Sequence, residues 1–298
     1  MGGPHSDQIE QAILEGGGRI TRDPATASAI IWLSKDIEPL PELLHPNIRW
    51  VQLPDAGVEK WIKSGTIDGR RRFTSASGCY GPQVAEQALT LMLACARRIK
   101  AYARAESGRE SSPPGGTLRG ASVIVIGAGD IGSCLIDFLV PLGADVVAVT
   151  RGGHHVKGAS TSISVDEYET ALPAADFVVL TVPSTPRTVG MLGRSQFASM
   201  KPSAYVVNVG RGDLIDTAAL LEAVQDGVIA GAGLDVTDPE PLPDSHPFWR
   251  MPQVLLTGHT ANPPALKAAS LARRVRSNVE RFVAGDELIG IVEMSRGY

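Results

Sequence analysis

Three residues whose side chains together can hold a carboxylate and pass a proton stand just after short apolar runs late in the chain. Arg211 lies in Asn208-Val209-Gly210-Arg211-Gly212, Glu240 in Asp238-Pro239-Glu240-Pro241-Leu242-Pro243, and His259 in Thr257-Gly258-His259-Thr260-Ala261-Asn262. A planar guanidinium forks onto a carboxylate. An imidazole titrates near pH 6.5, so it gives and regains a proton close to neutrality. A carboxylate beside the imidazole favours the protonated ring and fixes its tautomer. Each residue also has an ordinary alternative: a surface charge for Arg211, a solvated loop acid for Glu240, a structural histidine for His259. Their joint placement at strand ends favours one shared site, with His259 as acid/base, Glu240 as its support and Arg211 as the carboxylate holder.

A second motif points to a phosphate-bearing ligand. Gly127-Ala128-Gly129-Asp130-Ile131-Gly132 follows the apolar run 122–126 and precedes a helix-compatible stretch, 133–139, and a second apolar run, 145–149. Strand, glycine turn, helix and strand in that order frame a dinucleotide-binding fingerprint. Gly127 permits the tight turn, Gly129 lets backbone amides approach a pyrophosphate, and Gly132 lets the helix pack on the strand. The helix N-terminus then faces the phosphates. Where an acidic residue usually meets the ribose hydroxyls of NAD, the second run ends in Thr150 and Arg151. With no acid to repel a 2'-phosphate and an arginine to bind it, NADP(H) is the expected preference and NAD(H) the second choice.

The elements that must position these groups read as strands alternating with helices. Apolar runs fall at 29–33, 50–53, 122–126, 145–149, 177–182, 204–209, 231–236 and 254–257, a pattern of α/β folds with doubly wound parallel sheets. Runs such as Val123-Ile124-Val125-Ile126, apolar throughout, suit strands buried on both faces. Val84, Ala88, Leu91, Met92 and Cys95 recur at helical spacing and mark an amphipathic helix. The stretch 106–120, with Ser111-Ser112-Pro113-Pro114-Gly115-Gly116, lacks hydrophobic periodicity and reads as a linker. Pro263-Pro264 introduces a helix over 265–283 that returns to the first domain. A helix is expected over 7–14 with no strand before it, so a first strand would be missing.

Composition bounds the rest. A chain of 298 residues, 43% hydrophobic and 20% charged, suits two globular domains. The net charge of −4, with Lys and Arg dispersed, gives no footprint for nucleic acid or an anionic membrane. No apolar run is long enough to span a bilayer and no secretion signal opens the chain, so a cytoplasmic location is expected. Cys79, Cys95 and Cys134 read as buried free thiols. His154 and His155, being adjacent, are poorly placed to share an ion, and no other pair among the six histidines has ligand spacing, so no metal is expected. No GxSxG elbow supports a hydrolase.

Taken together, these motifs resemble the D-isomer-specific 2-hydroxyacid dehydrogenases, among them the glyoxylate/hydroxypyruvate reductases. The likeness runs from about residue 50 to 278. It is carried by Trp50-Val51-Gln52, Ala56-Gly57-Val58, Val84-Ala85-Glu86, the glycine motif, Val182-Pro183-Ser184-Thr185-Pro186-Arg187-Thr188, Val207-Asn208-Val209-Gly210-Arg211-Gly212, Gly233-Leu234-Asp235-Val236, Glu240-Pro241-Leu242-Pro243 and Leu256-Thr257-Gly258-His259.

The resemblance implies two Rossmann-like or flavodoxin-like domains with the active site in the cleft between them. Residues 1–97 with 264–298 would bind substrate, and residues 98–263 would bind NAD(P). It implies reduction of a small 2-oxo acid to a D-2-hydroxy acid, or the reverse, with Arg211, Glu240 and His259 in the catalytic positions. The backbones of Ala56, Gly57, Val58 and Gly78 would lie near the substrate carboxylate. Asp130, Ile131, Val182, Pro183, Thr188, Val209, Gly210, Asp235, His259 and Asn262 would line the cofactor beside the three glycines, Thr150 and Arg151. A homodimer through the cofactor domains and an arm at about 101–118 is the family expectation. The chain departs from many relatives in having Gly258 before the histidine and Thr260-Ala261-Asn262-Pro263 after it. With no further domain after the return helix, a phosphoglycerate dehydrogenase bearing a regulatory module is disfavoured. The competing reading is a non-catalytic NAD(P)-sensing interaction protein of the corepressor type; retention of the Arg, Glu and His together favours the enzyme.

Overall fold

The computed structural model describes residues 6–104 and 115–294. The chain divides into two compact units, Met1–Tyr80 with Asn262–Tyr298, and Gly81–Ala261. The smaller unit contains α1 (Ser6–Glu15), β1 (Ala29–Ile31), α2 (Leu40–Leu43), β2 (Trp50–Gln52), α3 (Glu59–Lys63) and β3 (Arg72–Thr74). The larger opens with α4 (Gly81–Ala96) and α5 (Ile99–Ala103), then β4 (Ser122–Ile126), α6 (Asp130–Leu139), β5 (Asp145–Thr150), β6 (Thr161–Ser164) and β7 (Phe177–Leu180). It continues with α7 (Arg194–Ser199), β8 (Tyr205–Asn208), α8 (Thr217–Gln225), β9 (Gly231–Leu234) and β10 (Val254–Leu256), after which α9 (Pro264–Ala284) belongs to the smaller unit.

In the smaller unit three short parallel strands form a sheet in the order β1-β2-β3. Leu40, Ile48, Val51, Leu53, Val58, Trp61, Ile67 and Phe73 make its core. A buried polar ladder joins α9 to this sheet: the Trp50 indole donates to Thr74 Oγ1 at 2.8 Å, Thr74 Oγ1 donates to Gln52 Oε1 at 2.9 Å, and Asn278 Nδ2 donates to the same Gln52 oxygen at 3.0 Å. Each buried polar group thereby finds the partner that burial demands. Helix α1 ends against α9, where a side chain at Gly16 would meet the Arg276 carbonyl at 2.8 Å.

The larger unit holds a seven-stranded parallel sheet, order β10-β9-β8-β7-β4-β5-β6. Val123, Ile124, Val125 and Ile126 of β4 are fully buried at its centre, as the unbroken apolar run requires. Between β4 and β7 the strand order reverses, the position at which open α/β sheets bind ligands beyond the carboxyl ends of their strands.

Two strands were not anticipated. The arginine-rich stretch 70–72 hides β3, whose first residue is exposed, and β6 is a polar edge strand with no buried residue. The helix over 81–96, placed by sequence in the first domain, instead opens the larger unit and packs on α6 and beneath β8, β9 and β10. The two compact units therefore divide at Tyr80/Gly81 rather than between residues 97 and 98. Residues 105–114 of the expected linker and dimer arm lie outside the described residues. Of the three free cysteines only Cys95 is fully buried.

Candidate active site

Strands β8, β9 and β10 are neighbours in one parallel sheet, and Arg211, Glu240 and His259 follow them in turn. Parallel pairing delivers all three loops to the same edge of the sheet.

His259 and Glu240 are in direct contact, with His259 Nδ1 2.7 Å from Glu240 Oε1. An ionised carboxylate only accepts, so Nδ1 carries the proton and Nε2 remains for a reacting group. Both side chains are about half exposed, at 51% and 43%. Solvent reaches the pair.

The backbone of His259 is in the left-handed region at φ 54°, one of two non-glycine residues there among those described. A side chain persists in that conformation only where its surroundings over-determine it. Here Asp235, 2% exposed, supplies the constraint. Its main-chain carbonyl accepts from His259 N at 2.8 Å. Its Oδ1 accepts from Thr260 N at 3.0 Å and from Thr257 Oγ1 at 2.6 Å, and its Oδ2 from Ala261 N at 3.1 Å. The resemblance places Asp235 beside the cofactor, and in the structure its carboxylate also organises the turn that carries His259.

The Arg211 turn is clamped as well. Asn208 Oδ1 accepts from Gly210 N at 3.0 Å and Asn208 Nδ2 donates to the Arg211 carbonyl at 2.7 Å. A side chain at Gly212 would overlap the Thr237 carbonyl carbon at 2.0 Å. Only glycine permits the Arg211 turn to lie against the loop that bears Glu240. The Arg211 guanidinium donates through Nη1 to its neighbour's carbonyl, Gly210 O, at 2.8 Å. Val209 and Gly210 are buried at the same strand end.

The glycine motif separates into positions fixed by the protein and one left open. Gly127 has φ 103° and donates to Val149 O at 2.9 Å. A side chain at Gly132 would sit 2.2 Å from the Gly127 carbonyl oxygen. At Gly129 a side chain would meet no protein atom within 4 Å. That open space lies at the N-terminus of α6, where backbone amides suit a pyrophosphate. The residues present therefore fit a dinucleotide. The Asp130 carboxylate is turned onto Gly81, where a side chain would come within 2.5 Å of it. Ile131 is partly buried in the first turn of α6.

At the end of β5, Thr150 is 5% exposed and its hydroxyl has no hydrogen-bond partner among the described residues. Arg151, exposed, follows it, and its carbonyl accepts from Ser164 Oγ at 3.2 Å. Thr188 closes the turn after Val182, donating to Pro183 O at 2.7 Å and accepting from Thr185 N at 2.8 Å. It acts on the shape of the Pro183 turn.

Within the smaller unit, Ala56-Gly57-Val58 follows β2 and Gly78 follows β3. Ala76 N donates to Asp55 O at 2.8 Å and the Tyr80 hydroxyl to Pro54 O at 2.9 Å, so the two loops are tied together. Burial pushes the Asp55 carboxyl up, but Lys267 at 3.0 Å and Lys60 at 3.2 Å outweigh it and hold Asp55 below the ordinary carboxylate value. Burial, with Cys79 and Asp55 nearby, raises Tyr80 and keeps it a neutral donor. The sequence reading missed this cluster. Asn262 is the residue at which the chain returns to this unit, two before α9.

Among the described residues no cluster of His, Cys, Asp or Glu could hold a metal ion. No described helix is long and apolar enough to cross a membrane.

A family model, D-isomer specific 2-hydroxyacid dehydrogenase, NAD binding domain, matches residues 89–261. The chain is 36% identical to an uncharacterised Corynebacterium melassecola protein, over 99% of this chain and 98% of that one. It is 31% identical to glyoxylate/hydroxypyruvate reductase A of Serratia proteamaculans, over 72% and 69% of the two chains. It spans about half (54%) of the length of the mycobacterial D-3-phosphoglycerate dehydrogenases that it also matches. A Xanthobacter autotrophicus Py2 D-isomer-specific 2-hydroxyacid dehydrogenase, solved with NADPH and MES, superposes with a TM-score of 0.83 at 28% identity, covering 100% of this chain and 96% of that one. The chain belongs to the D-isomer-specific 2-hydroxyacid dehydrogenase family. It is an NAD(P)-dependent enzyme of that class.

Proposed function

We propose that the enzyme reduces a small 2-oxo acid to the D-2-hydroxy acid, or runs the reverse reaction, with NADPH preferred over NADH. The observation that carries this reading is the 2.7 Å contact between His259 Nδ1 and Glu240 Oε1, on a loop next to that of Arg211. Bound reduced dinucleotide supplies the hydride that reaches C2. His259 gives its Nε2 proton to the carbonyl oxygen, which becomes the C2 hydroxyl of the product, and regains a proton from solvent. Glu240 accepts from Nδ1 and so holds the ring and stabilises its charged form. Arg211 binds the carboxylate and polarises the carbonyl. In the smaller unit the amides of Ala56, Gly57, Val58 and Gly78 are a carboxylate cradle.

The cofactor reading rests on Thr150 and Arg151, and the NADPH in the Xanthobacter relative supports it. The glycine turn, Ile131, Val182, Pro183 and Val209 line the dinucleotide. Dimerisation would cover Leu93, Ile99 and Tyr102, which are 40%, 52% and 47% exposed; sedimentation at micromolar concentration tests it.

Reduced-nicotinamide absorbance, followed with NADPH or NADH against glyoxylate, hydroxypyruvate, pyruvate and bulkier 2-oxo acids, tests the reaction. Faster consumption with NADPH is expected, and Thr150→Asp should reverse the preference by roughly tenfold or more through repulsion of the 2'-phosphate. NADH preferred by the unaltered chain would overturn the cofactor reading, and tight dinucleotide binding without consumption of any acid would overturn the reaction.

A further inference from the structure

Both carboxylate oxygens of Asp235 accept hydrogen bonds from the turn it organises, and one more side chain reaches that network from a different element. Gln87, partly buried on α4, places Nε2 3.1 Å from Thr257 Oγ1 and 3.5 Å from Asp235 Oδ1. Thr257 has a single hydroxyl proton, and at 2.6 Å it goes to Asp235, which when ionised can only accept. The hydroxyl oxygen is thus an acceptor, and the Gln87 amide is the donor that meets it. The chain of hydrogen bonds has one direction, from Gln87 to Thr257 to Asp235. The same carboxylate accepts from the other side the amides of Thr260 and Ala261, immediately after the left-handed His259.

We propose that Gln87 is a positioning residue for His259, acting through Thr257 and Asp235 to hold the turn in its left-handed form. The inference rests on the reading of His259 as proton donor. The amide orients the Thr257 hydroxyl, the hydroxyl fixes the Asp235 carboxylate, and the carboxylate fixes the backbone that aims the imidazole. An apolar residue at 87 leaves the hydroxyl free to rotate away from Asp235. An ionised carboxylate at 87 does more harm, because it competes for the hydroxyl proton and repels Asp235.

Those two effects separate by pH. In Gln87→Glu the new carboxyl, close to Asp235, has a raised pKa. While protonated it can donate to Thr257 as the amide did, and once ionised it cannot. The full chain and its variants are assayed for kcat with NADPH and the best 2-oxo acid from about pH 5.5 to 8.5, with NADPH affinity measured in parallel by fluorescence. Gln87→Leu is expected to lose about tenfold in kcat at every pH, with NADPH Kd within about twofold of the parent, since proton transfer by a positioned group contributes about 10²–10⁴ in rate and only part is lost. Gln87→Glu should approach the parent at low pH and fall at least tenfold relative to it at high pH. Gln87→Asn, shorter by one methylene, replaces Gln87→Leu if the latter does not fold.

A Gln87→Glu kcat that keeps a constant ratio to the parent across the pH range overturns the inference, as does a folded Gln87→Leu with parental kcat. His259→Asn is run beside them. If it is inactive while the Gln87 variants behave as the parent, the Gln87 inference alone fails; if it retains turnover, the proton-donor reading fails.

Discussion

After β4 the chain turns through Gly127 at φ 103°, and after β10 it turns through His259 at φ 54°, two departures from the same sheet into the same unusual region of backbone space. The first turn uses residues without side chains, and the demand comes from nearby: Gly132 would strike the Gly127 carbonyl if it carried a Cβ. The second keeps a large functional side chain in a conformation that disfavours it, and constrains it with a buried carboxylate from β9's end and an amide from α4. A ligand cradle can be made by removing atoms. A proton donor has to be kept and aimed, so its conformation must be imposed from outside.

The contrast is sharpest at Gly132. Gly132→Ala is expected to displace the start of α6, lowering NADPH affinity by roughly 100-fold and destabilising the larger unit by about 1–3 kcal/mol, as overpacking does. Fluorescence titration and thermal melts check both. Next, Glu240→Gln should reduce kcat by roughly 10- to 100-fold with NADPH Kd unaltered, because an amide can present a donor to Nδ1 and no longer selects the tautomer. An unchanged kcat would detach Glu240 from His259. Gly129→Ala separates ligand demand from protein demand: its side chain meets nothing in the protein, so the melt should stay at the parent value while NADPH affinity falls about tenfold through a clash with the pyrophosphate. A lowered melt would mean that the protein itself needs the glycine.

The smallest effect belongs to Asp55, whose organisation by Lys267 and Lys60 involves no unusual backbone. Its carboxyl lies below its reference of 3.8, since the two lysines outweigh burial. A depressed native pKa adds stability above the unfolded value and loses it as pH falls through the native one. Urea titrations between pH 6 and 2 should therefore show Asp55→Asn with a shallower loss of stability below about pH 4 than the parent. Equal slopes would assign the acid sensitivity elsewhere.

These regions also explain what the residues alone could reveal. The glycine turn was legible because backbone demand there is written directly in residue type, and the Arg, Glu and His were legible because each follows an apolar run that forms a strand. Asp235 stands out for its place in Gly233-Leu234-Asp235-Val236, but not as the organiser of the His259 turn, because the amides of Thr260 and Ala261 that it holds are main-chain groups that leave no mark in residue type. Gln87 left no signal: its target lies on another element, and a glutamine on a helix usually meets solvent. The apolar face of 81–96 correctly implied a buried helix yet did not say on which sheet it packs. Strand β6, polar and on the sheet edge, has neither alternation nor a continuous apolar run. The strand length and order of the smaller unit depend on partners for β1 and β3 that three-residue segments do not specify.

Single-turnover reduction of a 2-oxo acid by NADPH, compared between the parent and His259→Asn with the cofactor Kd measured on the same samples, tests the central claim most directly. Asparagine tolerates a left-handed backbone, so the turn is preserved while the proton donor is lost. The prediction is a loss of about 10²–10⁴ in the rate of the chemical step with NADPH binding within about twofold of the parent. A chemical step of undiminished rate in His259→Asn would contradict the account.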